Sequence, residues 1–284
     1  MNVSPIILII FIPCILLLLK LTNIIESFNS TSLYDTHIKL IIESNKIKVK
    51  NNLSNIPIYV INLNRSVDRK KFMENQSKIL NIKINFIEGI DGDNIQNLKN
   101  GSFMLDNKNI NYSNNISTLN KYELGCFLSH IKTLLNAYFN NLEYILILED
   151  DVTMSLVSKW NVSIKDIIKN APKDWEAISL YCVKKRNTNE KYLKNKFWGT
   201  PAILYNKNGI KKLFEKIYDN KTNTINITED SAIDYFLQHM INTYMYNDYL
   251  FTPINDNNKL DSLIHTNHTN SHNNTSKKIL NNYL

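Results

Sequence analysis

Tyr144-Ile-Leu-Ile-Leu-Glu-Asp-Asp151 decides the fold. The apolar run has the length of a strand buried on both faces, and it ends abruptly on three adjacent carboxylates. Strands of this kind lie in sheets covered by helices, and such sheets bind ligands beyond the carboxyl ends of their strands. Working outward, Ile56-Pro-Ile-Tyr-Val-Ile-Asn-Leu63 is a second buried run, and residues 82–87 form a third that closes on Glu88-Gly-Ile-Asp-Gly92. A polar helix is expected from about Ser66, with Phe72, Met73, Ile79 and Leu80 on one side. Residues 93–119 read as a loop. Over 121–141 the apolar residues Leu124, Phe127, Leu128, Ile131, Leu134, Leu135, Tyr138 and Phe139 recur at three and four, the period of an amphipathic helix. Further strands are predicted at 177–183, 201–205 and 244–251, with helices at 208–218 and 228–242. Strands alternating with helices predict an α/β layer fold with a mostly parallel sheet.

Of the 284 residues, 43% are hydrophobic and 21% charged, which excludes whole-chain disorder and a polytopic membrane protein. The net charge of +7 comes from dispersed lysines rather than Arg-rich blocks, so no nucleic-acid partner is expected. The many Asn, Ile and Lys residues share AT-rich codons and read as a genomic signature. Residues 3–19 carry no charge. With the apolar residues after Lys20 the run is about 17–23 residues, enough to span a bilayer core. It exceeds a signal-peptide core, and no small-residue cleavage site follows. The expected organisation is a transmembrane signal anchor over 1–25, a stem over 26–55, the body over 56–265 and a polar tail over 266–284. The lysines after the anchor do not favour a lumenal body. About 14 Asn-X-Ser/Thr sequons, where composition alone gives roughly 6, do favour one. The expectation is therefore a single-pass type II membrane glycoprotein with its body in the ER or Golgi lumen. Cys14 falls in the anchor, and Cys126 and Cys182 read as buried thiols.

The chemical centre is Glu149, Asp150 and Asp151. Three neighbouring carboxylates repel one another unless a cation or solvent intervenes. Hard oxygen donors of this kind suit Mg²⁺ or Mn²⁺, held by one or two carboxylates together with substrate phosphates. The bland alternative is a solvated acidic turn at a helix start.

Three blocks around the triplet resemble the family 25 glycosyltransferases, which include lipooligosaccharide galactosyltransferases and collagen hydroxylysine galactosyltransferases. The first is Tyr59-Val-Ile-Asn-Leu-Asn-Arg-Ser-Val-Asp-Arg69, with Gly89-Ile-Asp-Gly92 where an Asp-Gly closes the family's second strand. The second is Glu123-Leu-Gly-Cys-Phe-Leu-Ser-His130, followed by Leu148-Glu-Asp-Asp-Val152. The third and loosest is Gly199-Thr-Pro-Ala-Ile-Leu-Tyr205, then Gly209, then an acidic helix with Asp230 and Asp234. The resemblance implies a GT-A-like domain that binds a nucleotide sugar. It implies a donor site at Asn62, Arg65, Arg69, Asp91, Ser129, His130 and Asp150, and Mn²⁺ or Mg²⁺ at Glu149 and Asp151. Arg65 and Arg69, four apart, suit a diphosphate, while the plain reading of Arg69 is salt bridges to Asp68 and Glu74. His130 reads equally as a packed core histidine. Inversion at the anomeric carbon needs a base on the face opposite the leaving group, and Asp230 and Asp234 are the candidates, although both also read as helix-start residues. The implied substrates are UDP-galactose or UDP-glucose and a hydroxyl acceptor on a glycan or collagen-like protein. The alternative is a catalytically inactive relative serving in adhesion or interaction.

Overall fold

The computed structural model describes residues 33–43, 46–53, 56–114, 119–227 and 232–254. Helices α1 (Leu33–Ile42) and α2 (Lys46–Leu53) precede strand β1 (Ile58–Asn62), helix α3 (Val67–Leu80) and strand β2 (Ile84–Glu88). Strands β3 (Asn100–Leu105) and β4 (Lys108–Asn114) lead to helix α4 (Lys121–Phe139), strand β5 (Tyr144–Glu149) and the short β6 (Val152–Thr153). Then come α5 (Ile164–Asn170), β7 (Ala177–Ser179), β8 (Tyr192–Lys194), β9 (Ala202–Asn206) and α6 (Lys207–Ile217). The chain continues through β10 (Tyr218–Asp219), β11 (Thr224–Ile227), α7 (Ile233–Met240), β12 (Thr243–Tyr246) and β13 (Thr252–Pro253).

The main sheet has seven strands in the order β2-β1-β5-β9-β7-β12-β8. Its side chains alternate between two cores, as the pleat requires. Ile145 and Ile147 face α4, packing with Leu124, Phe127, Leu128 and Ile131. Leu146 and Leu148 face the other way, toward Phe72 and Met73 of α3 and Val60 of β1. Helix α4 starts at a capping box, in which the Asn120 side chain accepts from Tyr122 N and Glu123 N while Glu123 Oε2 accepts from Asn120 N. A cap of this kind stabilises a helix by about 1 kcal/mol.

The α/β layer fold stands, and five of the seven strands of the main sheet (β2, β1, β5, β7 and β12) share one direction, but the sheet is not uniformly parallel. Strands β2, β1 and β5 are mutually parallel and β12 is parallel to β7. Strand β9, however, runs antiparallel to both β5 and β7, and β8 antiparallel to β12. The sheet is mixed. An apolar run buried on both faces reads the same in either direction, so the sequence pattern carries no information about β9's polarity.

The expected transmembrane helix is likewise corrected. Among the described residues no helix is long and apolar enough to cross a membrane, and the single-pass, lumenal placement built on such a helix is withdrawn. The longest described helix, α4, is amphipathic and carries Lys121, Glu123 and Lys132. The segment 1–25 on which that expectation fell lies outside the described residues, as do Asp230 and the tail.

Two segments expected to lack structure have it. Residues 93–119 contain the hairpin β3–β4, which turns at Asp106 (φ 51) and joins a second sheet of order β10-β11-β4-β3. Its buried side chains, Phe103, Leu105, Ile110 and Tyr112, alternate among Asn and Lys. Within the expected stem, α1 and α2 bury Ile41, Val49 and Leu53 in the core that contains α3. The Asn52 side chain donates to Val157 O at 2.9 Å.

Candidate active site

Strands β1 and β5 lie side by side in parallel register, with Ile61 opposite Glu149, so Asn62 and the carboxylate triplet emerge together at their carboxyl ends. Each carboxylate has a different environment. Glu149 closes β5: its amide donates to Pro201 O at 2.9 Å, and its Oε1 accepts from Thr200 Oγ1 at 2.8 Å, with His130 Nε2 at 3.4 Å. Asp150 is only 6% exposed, and its two oxygens are taken by Asn62 Nδ2 (2.7 Å) and Arg69 (2.9 Å). Asp151 lies 3.6 Å from the same guanidinium through Oδ2, while its buried Oδ1 has no hydrogen-bond partner among the described residues.

The electrostatics follow from that arrangement. Burial pushes the Asp151 carboxyl up to about 7; Arg69 opposes the rise, and Glu149 and Asp150 add to it. Burial also raises Asp150 despite Arg69 and Asn62. Glu149 goes the other way: burial works against its charge, but His130, Thr200 and Arg69 outweigh it and hold the carboxyl below its ordinary value. Burial disfavours the charged guanidinium of Arg69, yet Asp151 and Asp150 more than compensate and hold the proton on. One cation thus serves two buried carboxylates, and a buried oxygen of Asp151 is left without a donor among the described residues.

The triplet floors a cleft of about 120 Å³ that is open to solvent. Ile61, Leu63 and Ile90 form an apolar wall, and Arg65, Arg69, Tyr122, Cys126, Ser129 and His130 complete the lining. Arg65 reaches across to the turn after β2, with Nε 2.8 Å from Asp91 and the guanidinium 3.3 Å from Asp93, which also accepts from Lys121 Nζ and Tyr122 OH. Both arginines therefore line the cleft, Arg65 from the turn before α3 and Arg69 from the first turn of that helix, and neither makes the Asp68 or Glu74 bridge of the plain reading.

The Ser129 hydroxyl is committed to the backbone. It donates to Gly125 O at 2.6 Å and accepts from Ile90 N at 2.7 Å, pinning the turn after β2 to α4. The approach is close: a Cβ on Gly125 would stand 2.7 Å from Ile90 O. Gly125→Ala is accordingly expected to force the turn and α4 apart at a cost of about 1–3 kcal/mol, read as a lowered urea midpoint.

Asp234 does not line the cleft. Its Oδ2 accepts from Gly199 N at 2.8 Å and its Oδ1 from Tyr235 N at 2.9 Å. It anchors the loop whose Thr200 bonds Glu149, and Gly199 takes the left-handed conformation there (φ 76). Asp230 lies outside the described residues. Sequence reasoning missed Tyr122 and Cys126 as cleft residues and Thr200 as the partner of Glu149. For Cys126 a signal existed, since it stands four before His130 on one helical face. Its sulfur, a ring nitrogen of His130 and a Glu149 carboxylate oxygen lie within 4.8 Å of one another, a group able to hold a metal ion.

Residues 55–250 match the model of the family described as glycosyltransferase family 25 (LPS biosynthesis protein), and that stretch contains the whole cleft. Human (Homo sapiens) procollagen galactosyltransferase 2 is 34% identical over 125 residues, covering 43% of this chain and 20% of that protein. The mouse (Mus musculus) protein of the same name is 33% identical over 125 residues with the same coverage. The matched stretch thus spans about one fifth of the length of these relatives.

Proposed function

The chain belongs to glycosyltransferase family 25, and on that premise we propose that its cleft binds a UDP-sugar and transfers the hexose to an acceptor hydroxyl. Galactose is preferred to glucose because the similar mammalian proteins are named galactosyltransferases, and the acceptor is a glycan or a collagen-like protein. The observation that carries the reading is the buried Oδ1 of Asp151, without a partner among the described residues, beside Arg69 at the end of β5. A buried carboxylate oxygen without a donor is costly unless a cation takes that place.

That orphan oxygen fits the divalent cation implied by the family. Glu149 and Asp151 would hold Mn²⁺ or Mg²⁺, and the ion would supply charge neutralisation for a departing diphosphate. The chain's own residues do the rest. Arg65 and Arg69 present guanidinium groups to the phosphates, which bidentate cations suit. Asp150, bonded by Asn62, fixes Arg69 in place and faces the ribose or sugar. Ile61, Leu63 and Ile90 exclude water from one side of the bound nucleotide. Transfer is a single displacement with inversion, in which Asp230 or Asp234 takes the acceptor hydroxyl proton. If Asp234 is the base, its carboxylate must leave Gly199 N and turn into the cleft, which it does not line.

The test is hydrolysis of a panel of UDP-sugars with Mn²⁺ and with chelator. Turnover is expected for UDP-galactose above UDP-glucose, lost in chelator and restored by Mn²⁺. Folded protein that neither binds nor hydrolyses any UDP-sugar would overturn the reading in favour of an inactive relative.

A further inference from the structure

We propose that Cys126, His130 and Glu149 form a binding site for a thiophilic divalent cation, Zn²⁺ above all, distinct in its chemistry from the all-oxygen set around Asp151. Cys126 and His130 are one turn apart on α4, and Glu149 ends β5, which packs beneath that helix. Their ligand atoms already lie within 4.8 Å of one another. Zn²⁺ bonds of about 2.3 Å to sulfur and about 2.0–2.2 Å to nitrogen and oxygen put tetrahedral ligands roughly 3.5 Å apart, so rotamer adjustments on the order of 1 Å close the set.

Two features prepare it. Thr200 Oγ1 donates to Glu149 Oε1 at 2.8 Å and so orients the carboxylate, as the outer partners of metal ligands do. His130 is 1% exposed, and its Nδ1 has no partner among the described residues. The ring proton can therefore sit on Nδ1 while Nε2, 3.4 Å from Glu149 Oε1, presents its lone pair to the ligand set. The cleft leaves a fourth position to solvent, the mark of an open rather than a closed zinc site. A thiolate donor is what separates this set from a Mn²⁺ or Mg²⁺ site. On binding, the S–H bond of Cys126 breaks, its proton goes to solvent and the sulfur lone pair forms the metal bond. Because Glu149 belongs to both ligand sets, occupancy here withdraws a carboxylate from the phosphate side of the cleft.

Binding is read without turnover, so the inference stands or falls apart from the transfer reaction. The full chain is titrated with Co²⁺ in place of spectroscopically silent Zn²⁺. A thiolate-to-metal charge-transfer band in the near ultraviolet is expected, saturating at one equivalent and bleached by Zn²⁺. Cys126→Ser, with Cys126→Ala as a second variant in case the first fails to fold, should lose the band. Either variant should weaken Zn²⁺ binding in equilibrium dialysis on the order of 100-fold, and Cys182→Ser should keep both properties. Absence of a sulfur band in the folded wild-type chain overturns the proposal, as does a band that survives in both Cys126 variants.

Discussion

Arg69→Ala is expected to be the most damaging single substitution in the cleft. The guanidinium is the one cation within 4 Å of Asp150 and Asp151 among the described residues, at 2.9 Å and 3.6 Å. Removing one partner of a buried ion pair costs about 3–5 kcal/mol, because the remaining charge is left uncompensated. Here two carboxylates are left, each already raised by burial. The loss should depend on pH in a definite sense. Without Arg69 both carboxyls titrate higher still, so the variant is least stable at alkaline pH and recovers toward the wild type as acid protonates them. Urea midpoints at pH 5 and pH 8 check this, with the larger deficit expected at pH 8. Arg69→Lys keeps one charge but loses the planar fork, and should recover only part of the stability. An Arg69→Ala protein as stable as the wild type at pH 8 would mean that the triplet is solvated in solution.

Asp151→Asn is expected to separate stability from function. The Asp151 carboxyl sits at about 7 in the folded chain against an ordinary 3.8. The folded state therefore binds a proton that the unfolded state has released. Stability contributed at this position is greatest in acid, falls as pH rises from about 4 to about 7, and stays low above that. The amide keeps the shape and removes the charge, so the melting temperature should rise at pH 8, by roughly 2–4 °C per kcal/mol regained for a domain of this size. The gain should vanish near pH 4. Mn²⁺ should stabilise the wild type and not the variant, by mass action on the folded state. Turnover of a UDP-sugar should fall about 10²–10³-fold, the typical loss of one electrostatic contact to a transition state. A variant that keeps both Mn²⁺ stabilisation and turnover would remove Asp151 from the metal site.

Much of this was legible from the chain because it depends on local repeats. The three- and four-residue recurrence over 121–139 specifies α4 and its buried face, and the apolar runs at 58–62 and 144–149 specify β1 and β5. The triplet's position at a strand end follows from the run that precedes it, and Arg65 and Arg69 line the cleft because both fall where the chain leaves β1 and enters α3. The hairpin at 100–114 was hidden because its alternating Phe103, Leu105, Ile110 and Tyr112 are diluted by asparagine and lysine that face solvent. Helices α1 and α2 were hidden because each buries only a narrow stripe, such as Ile41 on one and Val49 with Leu53 on the other.

The sequence by itself determined the strands and helices around the cleft, the carboxylate triplet and the family, because periodicity and motif spacing act over a few residues. Only the tertiary structure decided the direction of β9, since a doubly buried strand has no polar face to betray it. It alone decided how the carboxylates divide their partners, because Asn62, Arg69, His130 and Thr200 come from four different segments. It alone showed that Asp234 is not part of the cleft lining and that Gly199 N claims its oxygen. These are contacts between residues far apart along the chain, and their strength depends on burial, which exists only once both cores have closed on the sheet.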